Sequence, residues 1–219
     1  MSLVGKNEKK QKVLAPTGLQ KVRCIHVIDM GTQENNYKGS KYSDHQVKLT
    51  FELSETLHVF REENGEEPFC VSPFPFSSNL GSKKTKAFFE GWLGREFTDE
   101  EKKNGFDFAS MLGKAGMANI IHSAKKSDPS SKNDAIGSLS PMIKGSKMVK
   151  AVNPFICYSI GAADQWTEFE KIGKYWKEKI MTSPEWKSEA TKAKYNEAEG
   201  GVSQQVDESF AEEPEEDVF

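Results

Sequence analysis

Three cysteines in 219 residues are too few, and too widely spaced, to staple this chain together. Cys24, Cys70 and Cys157 are odd in number and include no Cys-x-x-Cys pair. That usage argues against a disulfide framework or a structural zinc site, and it points to reduced, buried thiols in a reducing cytoplasm. Long apolar runs are missing too: none approaches the roughly 20 residues a membrane-spanning helix needs. Met1–Gln11 is charged and lacks the apolar segment of a secretory leader. No membrane association is expected.

Catalytic signatures are equally scarce. Gly81-Ser82-Lys83-Lys84-Thr85 has the flavour of a phosphate loop, but no glycine precedes a Gly-Lys-Ser/Thr unit at the required spacing, so the backbone cradle is absent. There is no Gly-x-Ser-x-Gly elbow and no His-Glu-x-x-His helix. The four histidines, His26, His45, His58 and His122, are scattered. Packed or surface histidines account for them. No catalytic mechanism, metal or cofactor is expected, so the chain reads as a binding protein and not an enzyme.

What the chain does have is charge of one sign at its end. Asp207 to Phe219 holds seven carboxylates and no basic residue, and it closes on an apolar tip, Val218-Phe219. Such a stretch cannot bury enough apolar surface to offset its ordering entropy, so a disordered acidic tail is expected over 191–219. Of 33 acidic residues seven lie in this end, leaving 26 against 30 basic ones, a net of +4 on the rest of a chain whose total is −3. A cationic body attracts polyanions, and the tail competes for the same surface. The mean hydropathy of −0.65 fits a polar chain with extensive non-core segments.

The interior reads as mainly β with accessory helices. Residues 1–16 form a basic arm with Lys6, Lys9, Lys10 and Lys12. Val22 to Ile28 is a strand expected to turn at Asp29-Met30-Gly31, and Asn35 to Ser43 is a loop by composition. Val47, Leu49, Phe51 and Leu53 alternate with Gln46, Lys48, Thr50 and Glu52, the pattern of a strand with one buried and one wet face. Two short strands are expected at Leu57–Phe60 and Phe69–Val71, with pairing broken by Pro73 and Pro75. A helical insertion spans about 83–112: Ser82 is the N-cap, Phe88, Phe89, Trp92 and Leu93 form the stripe, Gly94 is the stop, and Thr98 opens a second helix. Strands return at Met117–His122 and Ala135–Leu139, joined by a polar link over Lys125–Lys132. Pro154 to Ile160 is an edge strand, Trp166–Met181 an amphipathic helix, and Ser183-Pro184-Glu185 opens a last short one. Roughly five strands interrupted by one helical segment fit a small, partly open barrel over 17–161, followed by a helical segment over 162–190.

Aromatic and basic residues are interleaved in the expected loops. Tyr37, Lys38, Lys41 and Tyr42 share the first. Phe74 and Phe76 flank prolines and divide evenly between core and surface roles. Lys48 lies on the wet face of the alternating strand. Lys125 and Lys126 lie on the second hairpin link, and Lys144, Lys147 and Lys150 follow it. Binding of single strands without sequence preference uses this combination, because lysines track phosphates while aromatic faces stack unpaired bases at roughly 1–3 kcal/mol each.

Three stretches carry a family likeness: Lys41-Tyr42-Ser43-Asp44-His45-Gln46-Val47-Lys48-Leu49-Thr50-Phe51-Glu52-Leu53, Met111-Leu112-Gly113-Lys114-Ala115-Gly116-Met117-Ala118-Asn119-Ile120-Ile121-His122-Ser123, and Asn133 to Lys144. In these, over roughly Gly18 to Ile160, the chain resembles the single-stranded DNA-binding proteins of tailed bacteriophages. The likeness implies an OB-fold-like core and adds Lys114 to the DNA-binding set. It also implies a role in coating DNA during replication, recombination or repair, a possible homo-oligomer, and a host-cell cytoplasmic location. The terminal Glu215-Glu216-Asp217-Val218-Phe219 looks like the tips through which such proteins recruit replication or recombination partners, although Val218 stands where proline is usual. A scaffold or virion interaction module, a small replication or recombination enzyme without a recognisable motif, and a strand-annealing protein are the alternative readings.

Overall fold

The computed structural model describes residues 12–125, 128–147 and 150–193. Its framework is one seven-stranded sheet. The first strand, β1 (Gly18–Tyr37), runs antiparallel to β2 (Ser40–Arg61), which pairs in turn with β3 (Gly65–Val71) and with the two-residue β4 (Phe76–Ser77). On its other side β1 pairs with β5 (Ala115–Lys125), which carries β6 (Asp128–Pro141) as a hairpin. A short parallel strand, β7 (Ile156–Tyr158), takes over the β1 edge beyond Arg23. The main path β3-β2-β1-β5-β6 is open, since β3 and β6 are not hydrogen-bonded to each other, although their Cα atoms come within 8 Å.

β1 serves three neighbours because it is bent. Register shifts between Cys24 and His26, and again between Asp29 and Gly31, each insert an extra residue, Ile25 and Met30, and bulges of this kind bend and twist a strand. The expected turn at Asp29-Met30-Gly31 is the second bulge, and the strand continues through it. The expected loop at Asn35–Ser43 is instead a tight hairpin closed by Lys38 and Gly39, whose φ values of 50° and 87° are those of a type I′ turn. Leu57–Phe60 is the far end of β2, not a separate strand. Phe76 pairs with Val47 despite the flanking prolines.

Helices cover both faces of the sheet. Helix α1 (Lys83–Leu93) follows the expected bounds, from Ser82 to a left-handed Gly94. Phe89 and Trp92 from α1, with Phe97 and Met111 beyond it, close one core against Val47, Leu49, Phe51 and Leu53. The approach is close: a side chain on Gly116 of β5 would sit 2.8 Å from the Trp92 ring, so only glycine fits beneath it. Helix α2 (Asp99–Asn104) opens with a complete capping box between Thr98 and Glu101.

The opposite face is where expectation fails. Lys48, Thr50 and Glu52, expected on a wet face, are all buried. A second core, built from Ile28, Met30, Ile156, Tyr158, Phe169, Ile172 and Ile180, lies over that side. The amphipathic stretch Trp166–Met181 is broken into α3 (Gln165–Glu170) and α4 (Lys174–Met181), with Gly173 as the cap between them, so that the chain folds back over the strands. A further helix, α5, spans residues 184–193. Polar residues in a strand cannot reveal that a later segment will cover them.

α5 is tied to the sheet by charge. Glu185 accepts hydrogen bonds from the Thr32 backbone N–H and hydroxyl. His45 lies between Asp29 (Nε2 to Oδ1, 2.8 Å) and Glu185 (Nδ1 to Oε1, 3.5 Å). The Asp29 hydrogen bond is the main cause holding the His45 pKa above its ordinary 6.5, against the opposing effect of burial. A raised histidine pKa stabilises fully below the unfolded value, and the contribution is lost as pH rises through the folded one. Amide exchange in residues 184–193 is therefore expected to accelerate, beyond the intrinsic base-catalysed trend, as pH rises above the unfolded histidine value of 6.5 in the wild type. In His45→Gln that extra pH dependence should vanish; its persistence would place the titrating group elsewhere.

The N-terminal boundary also shifts. Ala15, assigned by sequence to the arm, is fully buried, with its N–H donating to Asp134 and its carbonyl bonded to His122 Nε2. Of the three thiols, Cys24 is buried, Cys157 is half-buried and Cys70 is exposed, so the expectation of uniformly buried cysteines holds for one. No helix among the described residues is long and apolar enough to cross a membrane.

Candidate functional site

A cleft of about 550 Å³ opens between the outer half of β2, the arch Pro73–Ser77, the first turns of α1 and the middle of β6. Its floor is apolar: Phe76, Phe88, Ile136 and Leu139. Its rim carries Tyr42, Phe74, Asp44, Ser82 and Lys84. The arch is pinned from both sides. The Ser77 hydroxyl donates to Asp44 (2.7 Å), the Ser77 carbonyl accepts from the Thr85 hydroxyl (2.8 Å), and Ser78 N–H donates to the His45 carbonyl (2.7 Å).

Phe74 is the exceptional side chain here. It is 86% exposed, more than any other large apolar residue described. Prolines on both sides fix their own φ and restrict the residues before them, so the ring is held out in an extended segment at little further entropic cost. Tyr42, 51% exposed, faces the same cleft. Phe76 belongs mostly to the floor, stacked on Phe88 at 4.1 Å and packed against the first core. Of the two phenylalanines, each evenly balanced between core and surface in the sequence, Phe74 is at the surface and Phe76 packs against the core.

The structure brings only part of the expected basic set near these rings. Lys38 and Lys41 are exposed at the β1–β2 hairpin tip, next to Tyr42, and the Tyr37 backbone pairs with Ser40 there. Lys114, Lys144, Lys147 and Lys150 are exposed but do not line the cleft. Lys147 lies in a loop fixed through its carbonyl by Lys21, which also pairs with Glu55. Lys125 ends β5 opposite Asp128, so the expected long link is a short hairpin connection. Lys126 and the tail residues Glu215, Glu216, Asp217, Val218 and Phe219 lie outside the described residues.

Lys48 is a correction. It is 2% exposed, with its ammonium 4.4 Å from the centre of the Trp176 ring, and burial lowers its pKa to about 8. It belongs to the second core and cannot reach the cleft.

Lys83 and Lys84, within the incomplete phosphate-loop stretch, carry a different signal. They open α1, a helix with no acid in its first turn and no side-chain cap. Helix N-termini favour negative charge, so lysines at that position are electrostatically misplaced unless an anion comes to them. That mismatch was readable in the sequence. No protein-family model matches the chain, and no curated protein matches it.

Proposed function

We propose that the protein binds single-stranded DNA without sequence preference, as a non-catalytic coat during phage replication, recombination or repair. The observation that carries this reading is the rigidly presented Phe74 beside Tyr42 on a cleft floored by Phe76. Exposing an aromatic ring to this extent forgoes roughly 1.5–3 kcal/mol of burial. A stacked base would recover it. Lys84 and Lys83 at the helix start, with Lys38 and Lys41 at the hairpin tip, supply the phosphate contacts around the rings.

In this reading the bent, open sheet is an OB-fold-like partial barrel, and α1 plugs its mouth beside the strand. The lysines at 114, 144, 147 and 150 serve a continuing strand after it leaves the cleft. The acidic end Glu215–Phe219 recruits partner enzymes through its apolar tip and competes with DNA for the cationic surface when no strand is bound. No observation favours the scaffold or annealing readings over this one.

Titration with oligothymidine at two salt concentrations tests the proposal. Intrinsic fluorescence should change saturably, and log affinity should fall linearly with log salt at about 0.7 per neutralised phosphate. Four to six cationic contacts give a slope near −3 to −4. Salt-independent binding would remove the electrostatic half of the proposal.

A further inference from the structure

Beneath α4, on the face away from the cleft, a second cavity of about 230 Å³ is lined by Lys48, His26, Thr50, Ser72, Lys171 and Trp176. It lies below the roughly 300–1,000 Å³ of pockets for drug-sized ligands, so it suits a chemical group or small ion.

Its lining is unusual in sign. Lys48 is almost wholly buried, and among the described residues no carboxylate lies within ion-pair distance of it. Its ammonium has the Trp176 ring at 4.4 Å and the Leu49 carbonyl at 3.5 Å, the latter at the outer limit of a hydrogen bond. A buried ammonium normally requires a counter-charge, because desolvating it is costly. Glu52, on the same strand face, does not supply one. Its oxygens already accept from Ser54, Val152 and Asn153.

The remaining polar lining is donor-rich and stands beside an apolar wall of Ile28, Ile156 and Ile172. Thr50 and Ser72 present a hydroxyl pair 2.9 Å apart. Lys171 stands at the rim with Glu168 as its partner. An imidazole carries no negative charge, so His26, which donates a ring N–H to the Pro154 carbonyl and whose pKa burial and the nearby Lys48 hold below the usual value, supplies no counter-charge. The cavity meets α4 at its cap, Gly173. A side chain built there would touch nothing within 4 Å, and the N–H groups of the next two residues precede the first intrahelical bonds.

We infer that this cavity is a binding site for a tetrahedral oxyanion, phosphate in the first instance, with the buried Lys48 as its counter-charge. One proton of the Thr50–Ser72 hydroxyl pair is taken by their mutual hydrogen bond and the other is donated to an oxygen of the anion; the start of α4 faces it, and Lys171 guards the entrance. The phosphate is either the free ion or the terminal phosphate of a DNA strand. The site is separate from the aromatic cleft, so its existence does not depend on the reading given for that cleft.

The test is calorimetric titration of the full chain with inorganic phosphate, at constant ionic strength in a non-coordinating buffer. Wild type should bind one equivalent saturably. Lys48→Met, which keeps the length and apolar packing of the side chain, should bind about tenfold to a hundredfold more weakly while still unfolding cooperatively, as loss of a charged hydrogen bond predicts. Thr50→Val should lose severalfold, and it decides alone if Lys48→Met does not fold. No saturation in wild type, or unchanged titrations in the folded variants, would overturn the inference. Oligothymidines with a 5′-phosphate or a 5′-hydroxyl then separate the sources. A preference for the phosphorylated strand that Lys48→Met abolishes assigns the site to strand ends, and equal binding of the two strands assigns it to the free ion.

Discussion

Replacing Phe74 by alanine is expected to weaken oligothymidine binding about tenfold to a hundredfold, the loss of one base stack worth roughly 1–3 kcal/mol. The thermal midpoint should stay within about 1 °C of wild type, because a ring 86% in solvent contributes little to the core. Separation of the two effects is the informative part. Phe76→Ala would also reduce binding, but it removes a ring stacked on Phe88 and packed against Phe89, so it should cost about 3–5 kcal/mol of stability as well. Tyr42→Phe should behave nearly as wild type if stacking is its role. The salt slope of Phe74→Ala should match that of wild type, since no phosphate contact is lost. Calorimetry on the free protein and anisotropy with labelled oligothymidine check all of these. Equal affinity for wild type and Phe74→Ala would detach the ring from DNA binding.

A large loss of stability is also expected from Glu52→Ala. This carboxylate is fully buried in mid-strand, and among the described residues no cation lies within ion-pair distance of it. It is paired instead with donors: Val152 N–H at 3.0 Å, Asn153 N–H and side-chain amide at 2.8 Å each, and the Ser54 hydroxyl. These bonds tie the loop before β7 onto the sheet. Truncation strands two backbone N–H groups and an amide, and a cost of about 3 kcal/mol is expected from such orphaned donors. For a chain of this size that is a fall in midpoint of about 6–12 °C. Burial alone would raise the Glu52 pKa, but the four donors overcome it and hold the carboxyl below its ordinary 4.5. A depressed value stabilises above the unfolded pKa and is lost as pH falls through the folded one. The stability gap between wild type and Glu52→Gln should therefore be constant at neutral pH and shrink below about pH 4.5. Thermal melts across that range check it, and a gap that widens in acid would contradict the assignment.

Local signals predicted local structure well. Ser82 and Gly94 bounded α1, the Thr98–Glu101 box opened α2, and the alternation at Val47–Leu53 marked the first core, because caps and periodicity are short-range properties. Long-range properties were not legible. The alternation around Lys48 and Glu52 has the form of a wet face, and only the fold-back permitted by Gly173 covers it. The second bulge in β1 reads as a turn and the first, at Ile25, as plain strand, since an extra residue in a strand has no composition of its own. In the candidate site, the exposure of Phe74 follows from its two prolines and was half legible. The lysines of α1 are visible in the sequence, but their electrostatic mismatch shows only when the stretch is read as a bare helix start and not as a phosphate loop.

Photo-crosslinking tests most directly whether the cleft is the DNA interface. The full chain would be irradiated with bromodeoxyuridine-substituted oligothymidine, and the adducts mapped by mass spectrometry. The account predicts adducts at Tyr42 and Phe74, lost when unlabelled oligothymidine competes. Adducts confined to other surfaces, such as the loop carrying Lys144 and Lys147, or none above background, would contradict it.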